Sequence, residues 1–216
     1  MDKQINEGEK SKGAAGWSIK TNNQKLKVWT GQSKYGKDMN KDVQMVRAEY
    51  YFPTINDPKL IFDCIQTRRA EWDFNCQIDS IQRLNNGNTQ VDRLLYPCVP
   101  GTKAREFIDK KVFFTCGDHG LEGPNGEGKD DIYMWTTSIP SDVCKIDFPL
   151  KKQNERAECL IGIMKISKNT NSPGCKVHII SQRDGKLNAY INKTVVWISA
   201  QKLPGWYDEF LAFMSK

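Results

Sequence analysis

No apolar run in this chain of 216 residues has the length needed to cross a bilayer; the longest, such as Cys159-Leu-Ile-Gly-Ile-Met164, fall far short of the roughly 20 residues required. No basic-then-apolar segment opens the sequence, so no secretory leader is predicted. The seven cysteines, at 64, 76, 98, 116, 144, 159 and 175, never form a C-x-x-C pair. Their odd number and wide spacing point to free thiols in a reducing compartment, most of them small apolar core residues. Histidine is scarce, with His119 and His178 the two present. Cys116-Gly-Asp-His119 therefore offers two ligands where a structural zinc site wants four, and no G-x-S-x-G accompanies so small a choice of bases. No metal and no cofactor is predicted. There is also no dense basic stripe. Thirty-two Lys and Arg against 26 Asp and Glu give a scattered net charge of +6. A nucleic-acid partner is not expected; mild solubility or contact with anionic headgroups is.

What is present is a globular composition, 38% hydrophobic and 27% charged. Residues 1–15 are polar and carry both signs of charge, which reads as a disordered tail ahead of a single domain over 16–216. From Trp17 the chain alternates like a series of strands. Trp17–Thr21 and Leu26–Thr30 flank an Asn22-Asn23 turn, and Val43–Phe52 stops at Pro53. Asn56-Asp57-Pro58 supplies a cap and a first-turn proline for a helix whose apolar face is Leu60, Ile61, Cys64 and Ile65. Strands are predicted over Cys76–Leu84, Thr89–Tyr96, Arg105–Thr115, Ile132–Ile139, Cys159–Ser167 and Cys175–Arg183. The last segment changes period: Ile191, Val195, Ile198, Trp206, Phe210 and Phe213 fall mostly on one helical face, with Pro204-Gly205 expected to kink or divide that helix. Sheet plus one early and one long final helix is an α+β arrangement.

Gly123-Pro-Asn-Gly-Glu-Gly128-Lys129-Asp130 nearly spells a phosphate-binding loop. Its last position is Asp130, where magnesium binding needs a hydroxyl, and a strand follows where a helix is required. A solvated hairpin loop is the better reading. Arg69-Ala-Glu-Trp72-Asp73 is more informative. A guanidinium four residues before a carboxylate meets it on a helical turn. Alone, that describes either a surface ion pair of little energetic weight or, with Trp72 burying the turn, a pair whose hydrogen bonding a polar ligand completes.

The Arg69-x-x-Trp72-Asp73 turn after a Pro58–Thr67 helix resembles the START lipid-transfer domains. Further landmarks follow in the family's order: Trp17-Ser-Ile and Leu26-Lys-Val-Trp29 resemble the opening hairpin, and Tyr96-Pro97 with Ala104-Arg105-Glu106-Phe107-Ile108 a strand–loop–strand segment. Val177-His-Ile-Ile-Ser-Gln-Arg-Asp184 resembles the strand before the final helix, and Leu203-Pro204 a proline within that helix. The motifs lie closest to the phosphatidylcholine and ceramide carriers. Glu106 replaces the family's aspartate, the family's first helix is missing or reduced to the tail, and its Pro-x-Trp appears loosely as Asn188-Ala-Tyr190.

The resemblance implies a helix-grip fold, in which a curved antiparallel sheet wraps a long C-terminal helix and encloses a hydrophobic tunnel. It implies a non-enzymatic carrier that binds one lipid and moves it between membranes, phospholipid first, ceramide next and sterol third. Burying a chain gains about 0.8 kcal/mol per methylene, which a bilayer also supplies, so selectivity must come from polar groups at the head. By resemblance those are Arg69, Asp73 and Gln90. Tyr133 or Trp135 is a candidate aromatic contact, and Trp197 and Phe210 come from the final helix. Gln90 fits a solvent-facing strand position equally, and core packing accounts equally for Tyr133 and Trp135. Arg105 reads as a structural ion-pair partner. Pro97, Gly101 and Lys103 belong to the proposed gate loop Pro97–Ala104, and Lys103, Lys202 and Lys216 are candidates for transient membrane contact by a monomeric, cytoplasmic protein peripheral at membranes. The competing readings are a helix-grip enzyme using Asp73 or Glu106 as acid or base, and a lipid-sensing module without transfer.

Overall fold

The computed structural model describes residues 17–32, 43–74, 77–84, 88–97, 102–140, 148–187 and 189–215. The tail at 1–15, Gly101, Asn188 and Lys216 lie outside them. Alternation of period two is realised in ten strands among the described residues: β1 Trp17–Asn22, β2 Leu26–Gln32, β3 Gln44–Phe52, β4 Gln77–Leu84, β5 Thr89–Tyr96, β6 Ala104–Thr115, β7 Ile132–Ser138, β8 Asn154–Arg156, β9 Glu158–Lys168 and β10 Cys175–Asp184. They form one sheet in which nine follow the order β1-β2-β3-β10-β9-β7-β6-β5-β4, each antiparallel to its neighbours. The three-residue β8 lies parallel to the start of β6, beyond the stretch that β7 covers. It is too short to announce itself by alternation.

Turn chemistry sets the registers. The Asn23 carboxamide oxygen accepts the backbone N–H groups of Lys25 and Leu26 at 2.9 and 2.8 Å, closing the first hairpin. Gly174 ends the β9–β10 turn at φ +110°, and a Cβ there would stand 2.4 Å from the Phe52 carbonyl oxygen, so only glycine fits. Helix α1, Pro58–Gln66, starts as its sequence predicts: the Asp57 carboxylate accepts the Lys59 N–H at 2.9 Å and Pro58 takes the first position. A single 3₁₀ turn, Arg69–Glu71, follows it.

The final helix α2, Ala189–Met214, runs undivided through Pro204, where the sequence leads one to expect a break. The proline removes the N–H that would reach the Ala200 carbonyl, and packing holds the helix together across that gap. Ala200 and Tyr207, on either side of it, are both buried in the core.

Helices α1 and α2 cover the same face of the sheet, called inner here. Ile61, Cys64 and Ile65 of α1 and Tyr207 and Phe210 of α2 pack on Leu26, Val28, Tyr50, Phe52, Ile166 and Val177. Phe210 meets Phe52 and Trp72 edge-on, each at 5.1 Å between ring centroids. Cys64, Cys116, Cys159 and Cys175 are buried free thiols; burial pushes Cys159 and Cys175 up to about 11. The Gly123–Asp130 stretch is a series of exposed turns with Gly126 and Gly128 left-handed, and Asp130 is spent on Lys168 at 2.6 Å.

Candidate ligand-binding site

On β5 the usual polarity is inverted. Gln90 and Asp92 point inward with Leu94, and their cross-strand partners on β6, Lys111, Asp109 and Phe107, point inward beside them. The result is a belt of charge across an otherwise apolar inner face. Lys111 Nζ donates to Asp92 Oδ2 and, at 3.4 Å, to Gln66 Oε1 at the end of α1. Gln90 Nε2 donates to Asp92 Oδ1 at 2.6 Å. Farther along β6, Asp109 faces Arg183 of β10 at 3.0 Å and accepts the Ser138 hydroxyl at 3.0 Å. The Arg183 guanidinium lies 4.8 Å from the centre of the Phe107 ring.

The turn after α1 adds the third pair. Arg69 donates through Nε and Nη2 to Asp73 Oδ2 at 2.8 and 2.7 Å, and Trp206 Nε1 of α2 donates to the same oxygen at 3.3 Å. Trp72 anchors the turn by giving its Nε1–H to the Cys64 carbonyl at 3.0 Å. The ion pair expected from the i, i+4 spacing is therefore present, and it is an interior pair: Asp73 is buried and Arg69 nearly so.

The belt's electrostatics are coupled. Burial pushes Lys111 below the ordinary lysine range; Asp92 opposes this and the Arg69 charge adds to it. Burial drives the Tyr50 phenol far upward, against the pull of Arg69. Arg69 thus sits within electrostatic reach of both groups. For Arg183, burial works against the charged form but the Asp109 carboxylate wins, holding the guanidinium above its ordinary value.

Besides Asp109 Oδ2 and Arg183 Nη1, which face each other as an ion pair, two buried groups here have unspent polar atoms. Among the described residues, the Tyr50 hydroxyl and the Gln66 amide nitrogen make no hydrogen bond. Such atoms cost on the order of 1–3 kcal/mol each when dry, so they ask for an explanation.

The structure sorts the sequence candidates. Arg69, Asp73 and Gln90 face the interior, and the solvent-facing alternative for Gln90 is overturned by its 1% exposure. Tyr133 and Trp135 do not join them. Lys111 pairs with Thr136 and Phe113 with Met134, so period two turns residues 133 and 135 to the outer face, where Trp135 is 55% exposed. Phe210 is packed wholly among core aromatics. The side chain of Trp197 lies outside the described residues. Of the gate loop, Pro97 and Lys103 are exposed at its two ends, and Gly101 is outside the description. Arg105 is structural, as expected, donating to the Gly185 carbonyl at 2.6 Å and pairing with Glu155 at 3.4 Å. Sequence reasoning missed Tyr50, Gln66, Asp92, Asp109, Lys111 and Arg183.

A curled antiparallel sheet gripping a long C-terminal helix is the helix-grip architecture, and it is the fold of the StAR-related lipid transfer domains. Human STARD10 superposes with a TM-score of 0.67 at 18% identity, over 99% of this chain and 79% of that one. Human StAR-related lipid transfer protein 5 gives 0.69 at 14% identity, over 100% and 94%. The lipid transfer and protein localization domain of human StarD13 gives 0.65 at 15% identity, over 97% and 94%. At these identities the likeness is one of fold. No family model and no curated protein matches the chain by sequence.

Proposed function

We propose that the protein binds one lipid within the grip, its apolar portion against the inner face and its polar head at the charged belt, and transfers it between membranes. The observation that carries this reading is the pair of unspent buried atoms, Tyr50 Oη and Gln66 Nε2, on the face where Arg69–Asp73 and Lys111–Asp92 are buried. The amide nitrogen is a donor and the phenol can donate. Both sit on the inner side, which also holds buried cations, so the chemistry they lack is an acceptor oxygen. A phosphate or ester oxygen supplies that, and a phospholipid offers more such acceptors than a ceramide or a sterol. We therefore favour phospholipid, then ceramide, then sterol.

A carrier also fits the carboxylates better than an enzyme does. Glu106 is held by Arg93 and by Arg156, the latter at 2.8 Å, on the outer face. It stands away from Asp73 and cannot share a substrate with it. Pro204 is the natural place for the helix to flex while a lipid enters, since one hydrogen bond is already absent there. No helix among the described residues is long and apolar enough to cross a membrane. In this reading the membrane contact is peripheral and is made by a monomer in the cytoplasm.

Native mass spectrometry after incubation with mixed-lipid vesicles tests the proposal. The expected complex holds one phospholipid per chain, and Gln66→Leu or Arg69→Ala reduces its recovery while leaving the fold intact. A folded protein that recovers no lipid overturns the carrier reading; recovery of ceramide or sterol alone overturns the head-group assignment.

A further inference from the structure

The outer face of the sheet carries an apolar row that the inner-face reading does not use. Cross-strand registers align Trp29, Arg47, Ile180, Ile163, Trp135 and Val112 side by side over β2, β3, β10, β9, β7 and β6. The one charged member, Arg47, is laid over the Trp29 ring at 4.9 Å from its centre. At the β7 end the row is open to solvent, with Trp135 55% and Val112 39% exposed. Elsewhere the outer face is covered: Val91 and Ile108 lie beneath Ile139 and Phe148. Trp29 at the other end is 3% exposed, so the open part is the stretch from Ile180 through Ile163 and Trp135 to Val112. A solvated sheet face ordinarily presents alternate polar residues, so an open apolar stretch across neighbouring strands marks a contact surface.

The charges around it say what kind. Lys110, Lys165 and Lys176 share this face, and Lys165 stands 5.4 Å from the centre of the Tyr133 ring. The carboxylates beside the row, Glu49 and Asp131, face His178 at 3.7 Å and Lys165 at 2.8 Å, and Glu106 on the same side is held by Arg93 and Arg156. A second copy of the same basic surface would be repelled. The face is also convex, since the sheet curls around the helices on its other side. A rigid partner would need a matching hollow, whereas a bilayer interface yields to a bulge and accepts tryptophan at the headgroup level, with lysines beside anionic lipid. We infer that the outer face of β6, β7, β9 and β10 docks the protein on anionic membranes. This rests on the carrier reading, which requires a membrane contact.

Co-sedimentation of the full chain with phosphatidylcholine vesicles, with and without about 30% phosphatidylserine, tests the inference. The wild type binds the anionic vesicles, weakly or not at all the neutral ones, and loses binding as salt rises. Trp135→Ser and Lys110→Glu/Lys176→Glu each reduce the bound fraction about five-fold or more, all three positions lying outside the core. Lys103→Glu/Lys202→Glu, at the gate and on the final helix, has little effect. The inference is overturned if the gate pair abolishes binding and Trp135→Ser does not, or if the face instead captures an acidic protein and no vesicle. Native mass spectrometry on the same variants separates the two claims. Vesicle binding through Trp135 without a recovered lipid removes the carrier reading and keeps the dock; a recovered lipid with no vesicle binding does the reverse.

Discussion

The interior and the surface of this molecule treat the same chemical pair in opposite ways. On the inner face Lys111 and Asp92 are buried together, with side chains 6% and 2% exposed. On the surface Lys168 and Asp130 meet at 2.6 Å with side chains 58% and 62% exposed. The contacts are alike and their consequences are not. Water replaces either partner of the exposed pair at little cost, while nothing replaces a partner of the buried one. Aromatic residues divide in the same way: Phe210 is sealed inside the core and Trp135 stands in solvent. The inner face holds the fold together and presents polar groups at a fixed place. Around Trp135 the outer face is open to solvent and contributes little to folding, whereas Trp29, Val91 and Ile108 on the same side are buried.

The sharpest way to break that comparison is to truncate one aromatic on each side. Phe210→Ala should cost about 3–5 kcal/mol in urea unfolding, through lost burial and an unfilled cavity. Trp135→Ala should stay within about 0.5 kcal/mol. Equal losses would mean that the outer face is covered and the two sides are not distinct. The buried pair comes next. Asp92→Ala strands Lys111 and should cost about 3 kcal/mol, whereas Asp92→Leu/Lys111→Met should recover most of that stability and still impair lipid retention. A double variant as unstable as the single one would show that the belt is needed for folding itself. Asp130→Ala, which removes the exposed pair, should leave the unfolding midpoint where it was.

Much of this division was written in the chain, and the missing part has a physical cause. The strands, the Asp57–Pro58 start of α1 and the Arg69–Asp73 contact follow from alternation, capping and i, i+4 spacing. Trp135 and Tyr133 were misplaced because aromatic residues suggest a core. The phase of their strand decides otherwise, since Met134 and Thr136 take the inner positions. The belt was hidden for the opposite reason. Lysine and aspartate are rarely buried, so Asp92, Asp109 and Lys111 read as solvent-facing even though they share the phase of Leu94 and Phe107. That shared phase was the available signal. Arg183 keeps the phase of Val177 and Ile179, since the extra residue at the shift beside Gln182 lies in β9, and it was hidden for the same reason as the other charges. Tyr50 and Gln66 carried none, as their significance lies in hydrogen bonds they do not make.

The smallest effect belongs to the outer face itself, and its sign is informative. His178 lies there, half-buried between strands, with Glu49 at 3.7 Å and Arg47, Lys176 and Lys165 near enough to act on it. Burial lowers its pKa from the ordinary 6.5, the Glu49 carboxylate opposes this, and the three cations reinforce it. Below 6.5 the unfolded chain then binds a proton that the folded one resists, so stability must rise with pH through that window and fall on acidification. Most carboxylates titrate lower, below about pH 5, which leaves the interval between for His178. Urea midpoints measured across it should decline modestly toward the acid end, and His178→Gln should flatten the decline. A gain in stability on acidification would mean that Glu49 outweighs burial and the cations, which would make the outer face less basic and weaken the case for its attraction to anionic membranes.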